Sequence, residues 1–118
     1  MILKQKIPFL INVSTYLANH HKSKPIIYIA GKVTGLPADE VNAKFKAAQV
    51  KLEAQGFCVL NPTQFIGNAE NWQIAMRMAS TLLNMADHIY LLPDFSDSEG
   101  ARIEFAQATK FGISCINE

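Results

Sequence analysis

Short apolar, β-rich runs alternate along this chain with amphipathic stripes of helical spacing, and that alternation leaves few folds open. Ile26-Ile27-Tyr28-Ile29-Ala30 reads as a first strand. A loop from Gly31 to Pro37 precedes a helix over Asp39 to Gln55, in which Val41, Phe45, Ala48 and Leu52 share one face. Gly56 stops that helix, and Phe57-Cys58-Val59-Leu60 is the second strand, ended by Asn61-Pro62. A loop to about Asn71 leads into a helix over Trp72 to Asn84, with Trp72 as its starting anchor and Ile74, Met78, Leu82 and Met85 as its stripe. His88 to Leu92 is the third strand. A last helix runs to about Phe111, where Gly112 stops it, and Ile113 to Ile116 is the fourth strand. Strands joined through helices pair in parallel by right-handed crossovers. The expected architecture is a flavodoxin-like, Rossmann-like three-layer α/β sandwich, with a four-stranded parallel sheet in the order 2-1-3-4. That order sets the ends of strands one and three side by side at the switch point, where open sheets bind ligands. The loops at Gly31 and Asp94 then border one crevice.

Residues 1–24 precede the alternation as an extension, and residues 25–118 form the one domain that this length allows. Pro8 is expected to open a helix in the extension. Its stripe of Phe9, Leu10, Val13, Tyr16 and Leu17 needs burial, either on the domain or on another subunit. Lys4, Lys6, Lys22 and Lys24 put positive charge there, diluted by apolar residues. With a formal net charge of +1 the chain carries no footprint of a nucleic-acid or membrane partner. Ile7 to Val13 is a poor signal peptide and no run is long enough to span a bilayer, so the expected location is the cytoplasm. Cys58 and Cys115 each fall inside a strand without metal or redox spacing and read as buried, reduced thiols. His20 and His21 are adjacent, so they splay around a helix instead of converging on a metal.

The stretch from Asp94 to Glu104 is the richest in chemistry. Ser96 and Glu99 have the S-x-x-E spacing of a capping box, which starts the last helix there. Glu104, in the second turn, leans back over Gly100 and Ala101, two small residues that leave room for a ligand. A carboxylate so placed can attack an anomeric carbon and form a glycosyl-enzyme that a second nucleophile resolves. Asp87, Asp94 and Asp97 are expected at the same end of the sheet, as acids for the leaving group. A surface glutamate paired with Lys110 or Arg102 is the plain alternative. Gly31 and Gly35 bracket a loop suited to a sugar or phosphate, with Thr34 inside it. It matches neither the dinucleotide nor the P-loop pattern, and an ordinary strand-to-helix turn explains it at least as well. Tyr28 needs a partner for its hydroxyl if it is core.

Taken in order, Ile27-Tyr28-Ile29-Ala30-Gly31, Thr34-Gly35, Gly56-Phe57, Asn61-Pro62, Asp87 and Ser98-Glu99-Gly100-Ala101-Arg102-Ile103-Glu104 resemble the nucleoside 2-deoxyribosyltransferase-like proteins. The likeness is strongest to a small bacterial and phage branch, and it spans residues 26–116. The resemblance implies that Glu104 is the nucleophile, that Tyr28 helps to place it, and that Asp87 contacts the base. The family's further aspartate, six residues before the nucleophile, is replaced here by Ser98, so Asp97 is the expected substitute acid. Lys32 stands where the branch usually has proline, and Phe95 where an aromatic, commonly tryptophan, is usual. Gly31, Thr34, Gly35, Asp94, Ser98 and Gly100 complete the expected substrate-binding set. The implied activity is cleavage or transfer of an N-glycosidic bond on a (deoxy)nucleoside or nucleotide, by a homo-oligomer without metal or cofactor. A non-catalytic nucleoside- or nucleotide-binding module of the same fold is the alternative. A phosphoribohydrolase-like activity fits less well, because the P-G-G-x-G-T type of phosphate loop is absent.

Overall fold

The computed structural model describes residues 3–67 and 70–116 and, within them, the side chains from residue 7 onward. The elements are α1 (Leu3–His20), β1 (Ile26–Ala30), α2 (Ala38–Ala54), β2 (Cys58–Leu60), α3 (Trp72–Asn84), β3 (His88–Leu91), α4 (Glu99–Lys110) and β4 (Ser114–Ile116). Short 3-10 turns lie at Pro62–Gln64 and Phe95–Asp97. The four strands form one parallel sheet in the order β2-β1-β3-β4. Ile27 pairs with Val59 on one side and His88 on the other.

β1 is one of the two inner strands, and all five of its residues are buried. The strand period of two divides them between the faces. Ile27 and Ile29 pack with Val41, Phe45, Ala48 and Leu52 of α2. Ile26, Tyr28 and Ala30 belong to the opposite core, shared with α1, α3 and α4. Handedness explains the split. The chain moves one way along the sheet through α2 and the other way through α3 and α4, so right-handed crossovers put them on opposite faces.

α1 completes the second face. Phe9, Val13 and Tyr16 are buried in that core, with Leu10 and Leu17 packed against it, and the Tyr16 hydroxyl donates to the Val59 carbonyl at 2.7 Å. The stripe is therefore buried on the chain's own domain. The helix does not open at Pro8 but contains it. Proline withholds a single N–H from the carbonyl four residues back, so this turn loses one bond without ending the helix. The expected positive charge of Lys4 and Lys6 lies on side chains outside the described residues.

Two local expectations are corrected. Ser98, not Ser96, caps α4: its Oγ accepts the Ala101 N–H at 3.1 Å. Ser96 is committed to the 3-10 turn, and Ser98 is the residue with the extended backbone (φ −121°, ψ 120°) that a cap requires. Cys115 is exposed, because β4 is a short edge strand, whereas Cys58 is buried as expected. Among the described residues no helix is long and apolar enough to cross a membrane.

Burial on α1 yields a paired test. Phe9→Ala should cost about 3 kcal/mol of unfolding free energy in urea titrations. Ile11→Ala, two residues on and on the outer face, 58% exposed, should stay within about 0.5 kcal/mol of the starting protein.

Candidate functional site

β1 carries Tyr28 into the core on the α4 side, and the second turn of α4 brings Glu104 to it. The Tyr28 hydroxyl donates to Glu104 Oε2 at 2.9 Å, with both groups buried. Glu104 is 7% exposed. It meets this hydroxyl and not Lys110, whose ammonium lies over the Phe111 ring, nor Arg102, which is exposed. Burial pushes the Glu104 carboxyl up to about 7; the Tyr28 hydrogen bond lowers it without cancelling that effect. Burial first, and the neighbouring carboxylate second, hold the Tyr28 phenol well above its ordinary range, so it remains a donor.

Tyr28 and Glu104 line a cavity of about 460 Å³, a size that suits a small molecule. The loop after β1 supplies Gly31, Val33, Thr34, Gly35 and Leu36. The start of α4 supplies Ser98, Gly100 and Ala101. The segment between β2 and α3 supplies Pro62, Thr63, Ile66, Gly67 and Glu70, and α3 itself adds Trp72, Ala75, Met76 and Ala79. The crevice is thus bordered by the loop after β1 and by the start of α4, with a third wall from the chain after β2; of the Asp94 loop only Ser98 reaches it. Among the described residues no group of three His, Cys, Asp or Glu could hold a metal ion.

Several wall residues have structural reasons to be what they are. A Cβ on Gly31 would come within 2.5 Å of Leu92 Cδ1 and 3.0 Å of Leu92 Cβ, so only glycine lets the β1 exit pass the end of β3. Gly35 has φ +86°, which favours glycine. A Cβ on Gly100 would meet Met76 Sδ at 3.1 Å, so the space expected over Gly100 is bordered by a flexible thioether. The Ser98 hydroxyl lines the cavity while serving as the α4 cap.

The three aspartates separate. Asp94 is outside the cavity lining and ties the two loops together: Oδ1 accepts the Lys32 N–H at 3.1 Å, and Oδ2 pairs with the Lys44 ammonium. Its burial alone would raise the carboxyl, but these bonds outweigh that and hold it below its ordinary value. A proline at position 32 has no N–H for this bond. Asp97 is exposed in the 3-10 turn and is not among the lining residues. Asp87 does not share their end of the sheet. It precedes β3, so it stands at the amino end, where its Oδ2 accepts the Ile26 N–H at 2.9 Å. The expectation that it shares the end of the sheet with Asp94 and Asp97 is corrected: it precedes β3 and they follow it, so they stand at opposite ends of the strand.

Glu70, Thr63 and Met76 line the cavity without having been expected there. Trp72 is more than a helix anchor, being 43% exposed on the same cavity. A local signal for this wall exists in Asn71, whose Oδ1 accepts the Gln73 and Ile74 N–H groups as the α3 cap. It marks where α3 begins; periodicity says nothing about which way the preceding loop faces.

The raised Glu104 carboxyl predicts a pH dependence. As pH rises past the ordinary value of 4.5 the unfolded chain loses this proton, while the folded chain keeps it to about 7. Stability is therefore fully present below 4.5 and is lost as pH rises to about 7, by about 3 kcal/mol. Glu104→Gln should remove that slope and melt higher than the starting protein at pH 8, as read by thermal unfolding across pH 4 to 8. Gly31→Ala should cost about 1–3 kcal/mol in chemical denaturation, through forced movement of Leu92.

A family model described as Domain of unknown function (DUF4406) matches residues 25–117. No curated protein matches the chain, and no solved structure does. The matched segment starts just before β1 and ends past β4, so it holds the whole sheet and every residue that lines the cavity, leaving α1 outside. The chain belongs to the DUF4406 family.

Proposed function

We propose that this protein cleaves or transfers the N-glycosidic bond of a (deoxy)nucleoside or nucleotide, with Glu104 as the nucleophile. The observation that carries this reading is a buried carboxylate, held by one buried hydroxyl, on the wall of a cavity of about 460 Å³. The resemblance to nucleoside 2-deoxyribosyltransferase-like proteins supports it, since Glu104 and Tyr28 are the pair it implies.

A Glu104 oxygen attacks C1′ of the sugar. The C1′–N bond breaks, its electron pair leaves with the base, and the base takes a proton from solvent at the cavity mouth. Water or a second base then attacks C1′ and releases Glu104. The attacking carboxylate must be ionised, so turnover rises with pH through about 7. Tyr28 is a positioning residue: its hydrogen bond holds one oxygen and favours the ionised form. A non-catalytic nucleoside- or nucleotide-binding module is the second reading. The observation that favours it is the position of Asp97, the acid expected for the leaving base, outside the cavity lining.

The test is release of free base from a panel of 2′-deoxynucleosides and their 5′-monophosphates, with a mass search for a glycosylated peptide containing Glu104. Glu104→Ala should leave on the order of 10⁻³ or less of the activity. Tyr28→Phe should move the acidic limb of the rate profile to higher pH, because the bond that lowers the Glu104 carboxyl is gone. Asp97→Asn should leave base release close to that of the starting protein. Binding across the panel with no cleavage of any member would sink the catalytic reading and leave the binding module.

A further inference from the structure

The charges around the cavity are one-sided. Among the described residues that line it, Glu70 and Glu104 are acidic, and none is lysine, arginine or histidine. The cations nearest in sequence are engaged or placed elsewhere: Lys44 is paired with Asp94, and Lys32, Lys46, Arg77 and Arg102 are not among the lining residues. The remaining polar lining residues are the neutral Thr34, Thr63, Ser98 and Tyr28, of which Thr63 donates its hydroxyl to Asn61 and Tyr28 donates its own to Glu104.

Three helices also begin at this cavity, and helix starts are where a phosphate is ordinarily held. Each start already carries an acidic side chain or a side-chain acceptor beside it. The first turn of α2 carries Asp39 and Glu40, and Asp39 Oδ1 accepts the Glu40 N–H at 2.9 Å. At α3, Asn71 Oδ1 takes the Gln73 and Ile74 N–H groups, and Glu70 Oε1 takes that of Asn71 at 3.1 Å. At α4, Ser98 takes the Ala101 N–H, and Glu99 opens the helix.

Resting on the proposed N-glycosidic reading, we infer that the cavity accepts an uncharged nucleoside and discriminates against its 5′-monophosphate. A phosphate would enter between two carboxylates with no cation to receive it. Its charge would also oppose ionisation of Glu104, the form that attacks C1′. The hydroxyls suit a sugar and the edges of a base, and the partly exposed Trp72 offers an aromatic surface for the base.

Isothermal titration of Glu104→Gln, which keeps the hydroxyl's acceptor and the Glu70 carboxylate but lacks the nucleophile and its charge, tests this with each 2′-deoxynucleoside beside its 5′-monophosphate. The nucleosides should bind about 10-fold or more tightly than the matching monophosphates, and added salt should narrow the gap. Glu70→Gln in the same background should narrow it as well. Monophosphates binding as tightly as nucleosides, or more so, would overturn the inference. So would base release by the starting protein from monophosphates alone, although the N-glycosidic reading would then stand. Nucleosides that bind preferentially but are never cleaved would support the inference while defeating the catalytic reading. Binding of neither class would overturn both.

Discussion

The hydrogen bond from Tyr28 to Glu104 joins the middle of the sheet to the helix that follows its switch point, and the site is organised around it. A carboxylate taken out of water is costly unless its oxygens are satisfied. Here one hydroxyl serves one oxygen, and the carboxyl rises to about 7 as the visible remainder of that cost. The arrangement depends on β1 being one of the two inner strands, where Tyr28 is buried with a strand on either side. It depends equally on Ser98, because the cap sets where α4 begins and thus which turn reaches over Tyr28.

Two polar clamps hold the walls of the cavity. Asp94 ties the loop after β1 to the loop after β3 through the Lys32 amide, and to α2 through Lys44. Asn61 does the same for the wall after β2. Its Oδ1 accepts the Thr63 N–H and hydroxyl at 3.0 and 2.7 Å, and its Nδ2 donates to Gln49 of α2 at 3.1 Å. Both clamps run to α2, the helix on the opposite face from Glu104. The cavity is therefore supported from both layers of the sandwich, the kind of support that holds a ligand site in one geometry. The clamps also explain why conspicuous polar residues near the cavity are not all ligand contacts: Asp94 and Asn61 are occupied with backbone and side-chain partners.

The stability of the domain and the chemistry of its site pull in opposite directions. Glu104 lowers stability at neutral pH, while α1 adds buried apolar surface on the same core through Phe9, Val13 and Tyr16. The extension lies outside the DUF4406 match, yet it buries its stripe against the face that carries Tyr28. An add-on helix that covers the shared core supports the sheet from which the site is built, and none of its described side chains lines the cavity.

Period and order along the chain determined the element sequence, the parallel pairing of the strands and the helix that carries Glu104, because these follow from local side-chain spacing and from strands being joined through helices; the expected strand order β2-β1-β3-β4 is borne out by the pairing but follows from no local spacing. The amino-end position of Asp87 also follows from the order of elements alone, since it precedes its strand. Tertiary structure decided the rest. Tyr28 and Glu104 are 76 residues apart, and no local pattern shows that their side chains meet. Ser98 rather than Ser96 became the cap because the 3-10 turn before it consumed the earlier serine. Glu70 joined the cavity because the chain after β2 folds across the switch point. The glycine at position 31 answers to Leu92, a neighbour that only the pairing of β1 with β3 brings within reach. Periodicity reports which face of an element is apolar; which groups meet across faces depends on the packing of the layers, and a sequence read one segment at a time does not contain it.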